Sequence, residues 1–204
     1  MLVTIGTPHT GHLIQQYVIS LVKTIMQPPA GVTFEVLGLE SCYVHSGRNI
    51  IFNSCQGDYL LFVDSDMSWE PDQIAQLLKA EKDIIGGLYY KRRSPYGPVI
   101  YGFDGMAHQP MQPKERLFRC DGVGTGFLLI SRKVITAMNQ PECHLDWGFA
   151  FDPVKTQNPG NAGSYYVGED LSFCMKARHL GFEIWCDPEV LITHVGSQEI
   201  RGPL

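Results

Sequence analysis

The chain has 204 residues, 44% of them hydrophobic and 18% charged, which is enough to bury one sizeable core in a single domain spanning 1–204. A net charge of −5 excludes the global basic field that draws proteins to nucleic acid or anionic lipid, and the run Lys91-Arg92-Arg93 reads as a solvated surface stretch. Apolar runs such as Tyr59 to Val63 are far too short to cross a bilayer, so no membrane span is expected. Leu2 to Ile5 reads as a short buried strand, followed by a turn from Gly6 to Gly11. Leu13, Ile14, Tyr17, Val18, Leu21, Val22 and Ile25 then share one face of a 3.6-period helix that Pro28-Pro29 closes, predicting that this face is buried. Val32 to Leu37 is a second strand, and Ser46 is placed to cap a helix over 47–55 that Gly57 ends.

Tyr59-Leu60-Leu61-Phe62-Val63 is apolar throughout, as a central strand covered on both faces must be. It runs into Asp64-Ser65-Asp66, and Glu70-Pro71 then opens a helix with Ile74, Leu77 and Leu78 on one side. Asp83 to Tyr89 supplies a fourth strand. This alternation is the pattern of an α/β fold with a mostly parallel central sheet and helices on both faces. The pattern changes after Tyr90, which divides the chain into 1–90 and a more mixed 91–204. Residues 91–120 read as loops and short strands such as Val99 to Phe103. Gly122 to Ile130 returns to strand, and 139–165 reads as one long polar loop. A helix from Glu169 to Leu180 ends at Gly181, and strands over Glu183 to Cys186 and Val190 to Thr193 lead to His194.

Ligands of open α/β sheets bind beyond the carboxyl ends of the strands, where Asp64 and Asp66 stand. Two carboxylates two residues apart in extended backbone point the same way and can converge on one cation, and hard oxygen ligands suit Mg²⁺ or Mn²⁺. The six cysteines include no C-x-x-C pair, which leaves structural zinc without support, and a reduced, cytoplasmic compartment is the expectation. The N-terminus lacks the charged leader of a signal peptide. His9-x-x-His12 has no carboxylate at zinc-motif spacing. Gly122-x-Gly124-x-Gly126 runs into a strand and so is not a dinucleotide fingerprint.

Four segments together resemble the glycosyltransferases with the glycosyltransferase-A fold. Asp58 to Asp66 is similar to their D-x-D segment, Ser46-Gly47-Arg48-Asn49 to the helix start near the nucleotide, Gly122 to Ile130 to the strand lining the sugar site, and Gly168-Glu169-Asp170-Leu171 to their E-D motif. The resemblance implies transfer of a sugar from a nucleoside diphosphate sugar to an acceptor hydroxyl, with Mn²⁺ or Mg²⁺ as cofactor, 1–90 being the nucleotide-binding half and 91–204 the acceptor and catalytic half. It implies Asp66, Asp64 and His194 as the metal set, with Asp64 also near the ribose, and Ser65 in the same donor-binding segment. Thr7 and Pro8 are expected against the base and ribose, and Arg48 against the base or phosphates. Asp170, with Glu169 beside it, is the expected general base of an inverting reaction.

Trp147, with Phe149 and Phe151 at alternate positions, is a candidate acceptor platform. A glycan, a lipid-linked sugar, a protein or a modified nucleic acid are all open as acceptor. Two rivals remain at this point. One is a sugar nucleotidylyltransferase, although the loop Gly6 to Gly11 lacks the usual Arg and Lys. The other is a binding module that kept the fold without turnover.

Overall fold

The computed structural model describes residues 1–104, 107–143, 148–157 and 164–196, and the backbone of 199–200. The first elements are β1 Leu2–His9, α1 Gln15–Met26, β2 Thr33–Glu40, α2 Val44–Ser54, β3 Tyr59–Val63, β4 Met67–Ser68, α3 Pro71–Lys79 and β5 Ile84–Leu88. The chain continues through β6 Ile100–Phe103, β7 His108–Pro110, β8 Phe118–Cys120, β9 Gly122–Val123, β10 Phe127–Ser131 and α4 Arg132–Met138. The last are β11 Lys155–Gln157, β12 Ser164–Tyr166, α5 Glu169–His179, β13 Ile184–Leu191, β14 Thr193–Val195 and β15 Glu199–Ile200.

A seven-stranded sheet runs in the order β2-β1-β3-β10-β5-β13-β8. β1 lies parallel to β2 and β3, and β13 parallel to β5. β10 enters between β3 and β5, antiparallel to both, so the main sheet takes strands from both halves of the sequence. Every residue from Leu60 to Val63 and from Phe127 to Ile130 is buried, as continuous apolar strands under two layers require. One face is covered by α2, α4 and α5 through Phe52, Val134 and Phe173, and the other by α1 and α3 through Tyr17, Ile74 and Leu77. At the centre of the first face the Phe151 ring stacks on Phe173 with centroids 4.7 Å apart, and meets Phe62 edge-on at 5.1 Å.

Several readings of the sequence need correction, among them the Ser46 cap, since α2 already begins at Val44, and the long loop over 139–165, which carries β11 and the start of β12. β1 continues to His9 instead of ending at Ile5. Its ladder to β3 stops at Gly6 while its ladder to β2 runs on, so Pro8 stands where one side of the strand is already an edge and no donor is needed. In α1 the buried side chains are Tyr17, Ser20 and Thr24, whereas Val18, Val22 and Ile25 are more than 40% exposed. The helix is oriented by hydrogen bonds: the Ser20 hydroxyl accepts from the Trp69 backbone N–H (3.0 Å), and Thr24 accepts from the Trp69 indole (2.9 Å). Satisfying a buried indole and a backbone donor outweighs the apolar stripe that periodicity picks out. Finally, the two short strands before His194 are one strand, β13, broken by an irregularity between Asp187 and Leu191.

The packing predicts a sharp contrast between two apolar truncations. Phe151→Ala should cost about 3–5 kcal/mol in denaturant unfolding. Val22→Ser, in the stripe that the sequence places inside, should change stability by less than about 0.5 kcal/mol.

Candidate active site

Asp64, Ser65 and Asp66 form a tight turn at the carboxyl end of β3, closed by a hydrogen bond from the Met67 N–H to the Asp64 carbonyl (3.1 Å). Three other segments hold this backbone. The Asp64 N–H donates to the Gly126 carbonyl (3.0 Å), the Ile14 N–H to the Ser65 carbonyl (3.2 Å), and the Val195 N–H to the Asp66 carbonyl (2.8 Å). Because the backbone turns here, the two aspartates do not project together as an extended segment would place them. Asp64 faces Arg48, and Asp66 faces His194 and Arg92.

Arg48 lies on the inner side of α2 with its side chain 3% exposed. Its Nη2 donates to Asp64 Oδ1 at 2.7 Å and its Nη1 to Glu169 Oε1 at 2.7 Å, with Asp170 Oδ1 3.4 Å away. One buried guanidinium thus ties the Asp64 turn to the start of α5. Burial opposes its charge, but the three carboxylates outweigh that and raise its pKa further. Both terminal nitrogens are engaged by carboxylates.

Asp170 accepts a hydrogen bond from the hydroxyl of Thr125, which is fully buried. Withdrawal from water pushes its carboxyl up to about 6 against the opposing pull of Arg48, with the neighbouring Glu169 adding to the rise. A carboxylate tuned in this way is suited to accept a proton near neutral pH.

His194 is set opposite Met67 by the pairing of β14 with β4, which brings its Nε2 to 3.4 Å from Asp66 Oδ2. Its Nδ1 lies 2.8 Å from the Tyr90 carbonyl and donates to it, which turns Nε2 toward Asp66. Burial lowers the His194 pKa, but the Asp66 contact and the Tyr90 carbonyl together raise it. For Asp66, burial pushes the carboxyl upward, while His194 and Arg92 outweigh it and hold the group below its usual value. A carboxylate beside an imidazole whose far nitrogen is pinned by a carbonyl is a donor pair that fits a divalent cation. Among the described residues no three His, Cys, Asp or Glu side chains gather as a metal cage.

Thr7 and Pro8 are buried in β1. Gly6 pairs with Phe62, so Pro8, two residues on, comes level with Asp64. The Thr7 hydroxyl lies 2.5 Å from the Tyr17 hydroxyl, which commits its side chain to α1. Trp147 lies outside the described residues.

Two residues at the centre escape sequence reasoning. Tyr89, 5% exposed, accepts the Gly126 N–H on its hydroxyl (3.0 Å) and meets the His194 ring edge-on at 5.7 Å. A Cβ on Gly124 would stand 1.9 Å from that hydroxyl, and one on Gly126 would stand 2.4 Å from Met67 Cε and 3.0 Å from the Tyr89 ring. The spaced glycines are therefore the room that Tyr89 occupies, and they are the one signal that could have pointed to it. Asn49 bonds Asp152 through its amide nitrogen (2.7 Å) and receives the Phe151 N–H on its oxygen (2.8 Å), fixing the loop before β11 to α2.

Removing Arg48 leaves three acids without their shared cation. Arg48→Met should cost about 3–5 kcal/mol at pH 7. Arg48 pulls the Asp170 pKa down, so without it that carboxyl takes up its proton at a higher pH than the value of about 6 in the unmodified chain, and this loss should shrink as pH falls toward 6. Urea titrations at pH 7 and pH 5 measure both effects.

The geometry can be set beside known proteins. Among curated protein sequences no relative matches the chain. Among solved structures, the crystal structure of A197 from STIV matches with a TM-score of 0.62 at 17% identity, over 96% of this chain and 86% of that one. GalNAc-T7, crystallised with UDP, GalNAc and Mn²⁺, matches with a TM-score of 0.51 at 11% identity, over 91% of this chain and 42% of that one. The profile of glycosyl transferase family 2 matches residues 22–135, more than half of the chain, a segment that includes Arg48, the Asp64–Asp66 turn and β10. With the mostly parallel sheet and its flanking helices, the chain belongs to glycosyl transferase family 2 and has the glycosyltransferase-A fold.

Proposed function

We propose that the protein transfers a sugar from a nucleoside diphosphate sugar to an acceptor hydroxyl with inversion, and that Asp170 is the general base. The observation that carries this reading is the meeting of the Asp64 turn and the Glu169-Asp170 helix start on one buried arginine. Acids from two distant parts of the sequence are gathered at the carboxyl end of the sheet, where α/β folds take their ligands.

In this reading the nucleotide lies along the ends of β1 and β3, against Pro8, Asp64 and Ser65, with Thr7 behind them and held by Tyr17. Asp66 and His194 hold a divalent cation, Mn²⁺ or Mg²⁺. When bound, that ion supplies Lewis-acid stabilisation of the departing diphosphate. Arg48 holds Asp64 and Glu169 in place from beneath and keeps Asp170 oriented together with the Thr125 hydroxyl. Asp170 accepts the proton of the acceptor hydroxyl as that oxygen bonds to the anomeric carbon. The bond from that carbon to the diphosphate breaks on the opposite side, and the electron pair leaves with the diphosphate. Trp147 is a candidate acceptor contact, and the acceptor class is set by loops outside this centre.

Three measurements test this. A thermal-shift panel of UDP-, GDP-, dTDP- and CMP-sugars with and without Mn²⁺ should show stabilisation by one base, and only with the ion. Asp66→Ala should abolish that shift, whereas Asp170→Asn should keep it and lower transfer by about 10²–10⁴-fold. Transfer by the unmodified chain should rise with pH through about 6, as Asp170 loses its proton. Normal turnover by the Asp170 variant, or metal-independent donor binding, would refute the proposal.

A further inference from the structure

The basic run that the sequence places on the solvated surface is partly committed to the site. Residues 91–96 are exposed and form the tip of a hairpin whose base is fixed. The Lys91 N–H donates to the Gly97 carbonyl (2.9 Å), Tyr90 bridges Pro98, and the Val99 N–H donates to the Tyr89 carbonyl (3.0 Å). From this tip Arg92 reaches back over the Asp64–Asp66 turn, and its Nη1 donates to Asp66 Oδ2. That is the same oxygen that His194 Nε2 approaches at 3.4 Å. The Arg92 side chain is 47% exposed and the Asp66 side chain 19%. The arginine thus lies across the mouth of the site, with solvent on one side and a recessed carboxylate on the other.

Arg48 and Arg92 therefore differ in kind. Arg48 is buried, has two carboxylates within 2.7 Å, and serves as a structural fixture. Arg92 has one carboxylate partner among the described residues, Asp66, which it meets from an exposed loop, and pairs of that sort are weakly held. A divalent ion at Asp66 would compete for the same oxygen with twice the charge. Once displaced, the guanidinium remains tethered within a side chain's reach of whatever the ion holds. A planar fork of N–H donors matches phosphate oxygens in pairs.

We propose that Arg92 is a diphosphate-binding residue of the donor site, resting on Asp66 until a divalent cation takes that carboxylate. The inference rests on the donor-site reading above and adds a residue and an exchange to it. In the observed arrangement Arg92 neutralises Asp66. In the loaded site the same arginine faces the diphosphate, so the cation and the phosphates enter a site already supplied with a counter-charge.

Calorimetry with Mn²⁺ alone, and then with inorganic pyrophosphate at saturating Mn²⁺, separates the two steps without requiring turnover. Arg92→Ala removes the competitor for Asp66, so it should bind Mn²⁺ about two- to fivefold more tightly than the unmodified chain. The same variant should bind pyrophosphate about 10- to 100-fold more weakly, since a charge-assisted contact is lost. Arg92→Lys should recover part of the pyrophosphate affinity through its charge, though not the paired geometry. Unchanged pyrophosphate affinity in Arg92→Ala would overturn the proposal, as would loss of its Mn²⁺ binding. Asp66→Ala discriminates the parent reading: if it keeps full Mn²⁺ and pyrophosphate affinity, the donor site is elsewhere, whatever Arg92 does.

Discussion

A cation removed from water must be matched by anions, and the architecture of the site follows from how Arg48 meets that demand. Its guanidinium has almost no solvent contact, so Asp64 and Glu169 must come to it and Asp170 must stay close. These acids arrive on different elements, one at the end of β3 and two at the start of α5. Satisfying one charge therefore fixes the distance between a strand end and a helix start. A neutral residue at position 48 would leave like charges facing each other across a gap of low polarity, where their repulsion is least screened.

The two aspartates of the turn consequently do different work. Asp64 is spent on the interior and braces the floor of the cleft. Asp66 faces outward, toward an imidazole and an exposed arginine. The backbone between them is tied by hydrogen bonds to β10, to the entry of α1 and to β14. The main chain of this turn is held from three sides, and Asp66 meets Arg92 on an exposed loop.

Much of this was legible beforehand, for identifiable reasons. The buried strands β3 and β10 are continuous apolar runs, and the Asp64–Asp66 turn and Glu169-Asp170 lie at their expected ends. What periodicity could not show was the orientation of α1, because a polar face turned inward toward Trp69 imitates a solvated one. Extended geometry at Asp64–Asp66 was a reasonable assumption, yet a hydrogen bond from Met67 to Asp64 bends it. Arg48 carried a motif-level signal for the site but none for its depth, since a helix position does not disclose which acids will surround it. Tyr89 had no motif at all. Its role comes from a strand pairing that sets it against two glycines from a later part of the chain.

That pairing has a consequence for assembly. β3 and β5 are 20 residues apart in the sequence and yet do not touch, because β10 fills the space between them. Until residues 127–131 arrive, each presents an open edge of unpaired amides and carbonyls. The hydrogen bond from Asp64 to Gly126 and the seat of Tyr89 cannot form earlier either. The cleft around the Asp64–Asp66 turn therefore depends on contacts distant in sequence, and such contacts are the slow ones to make.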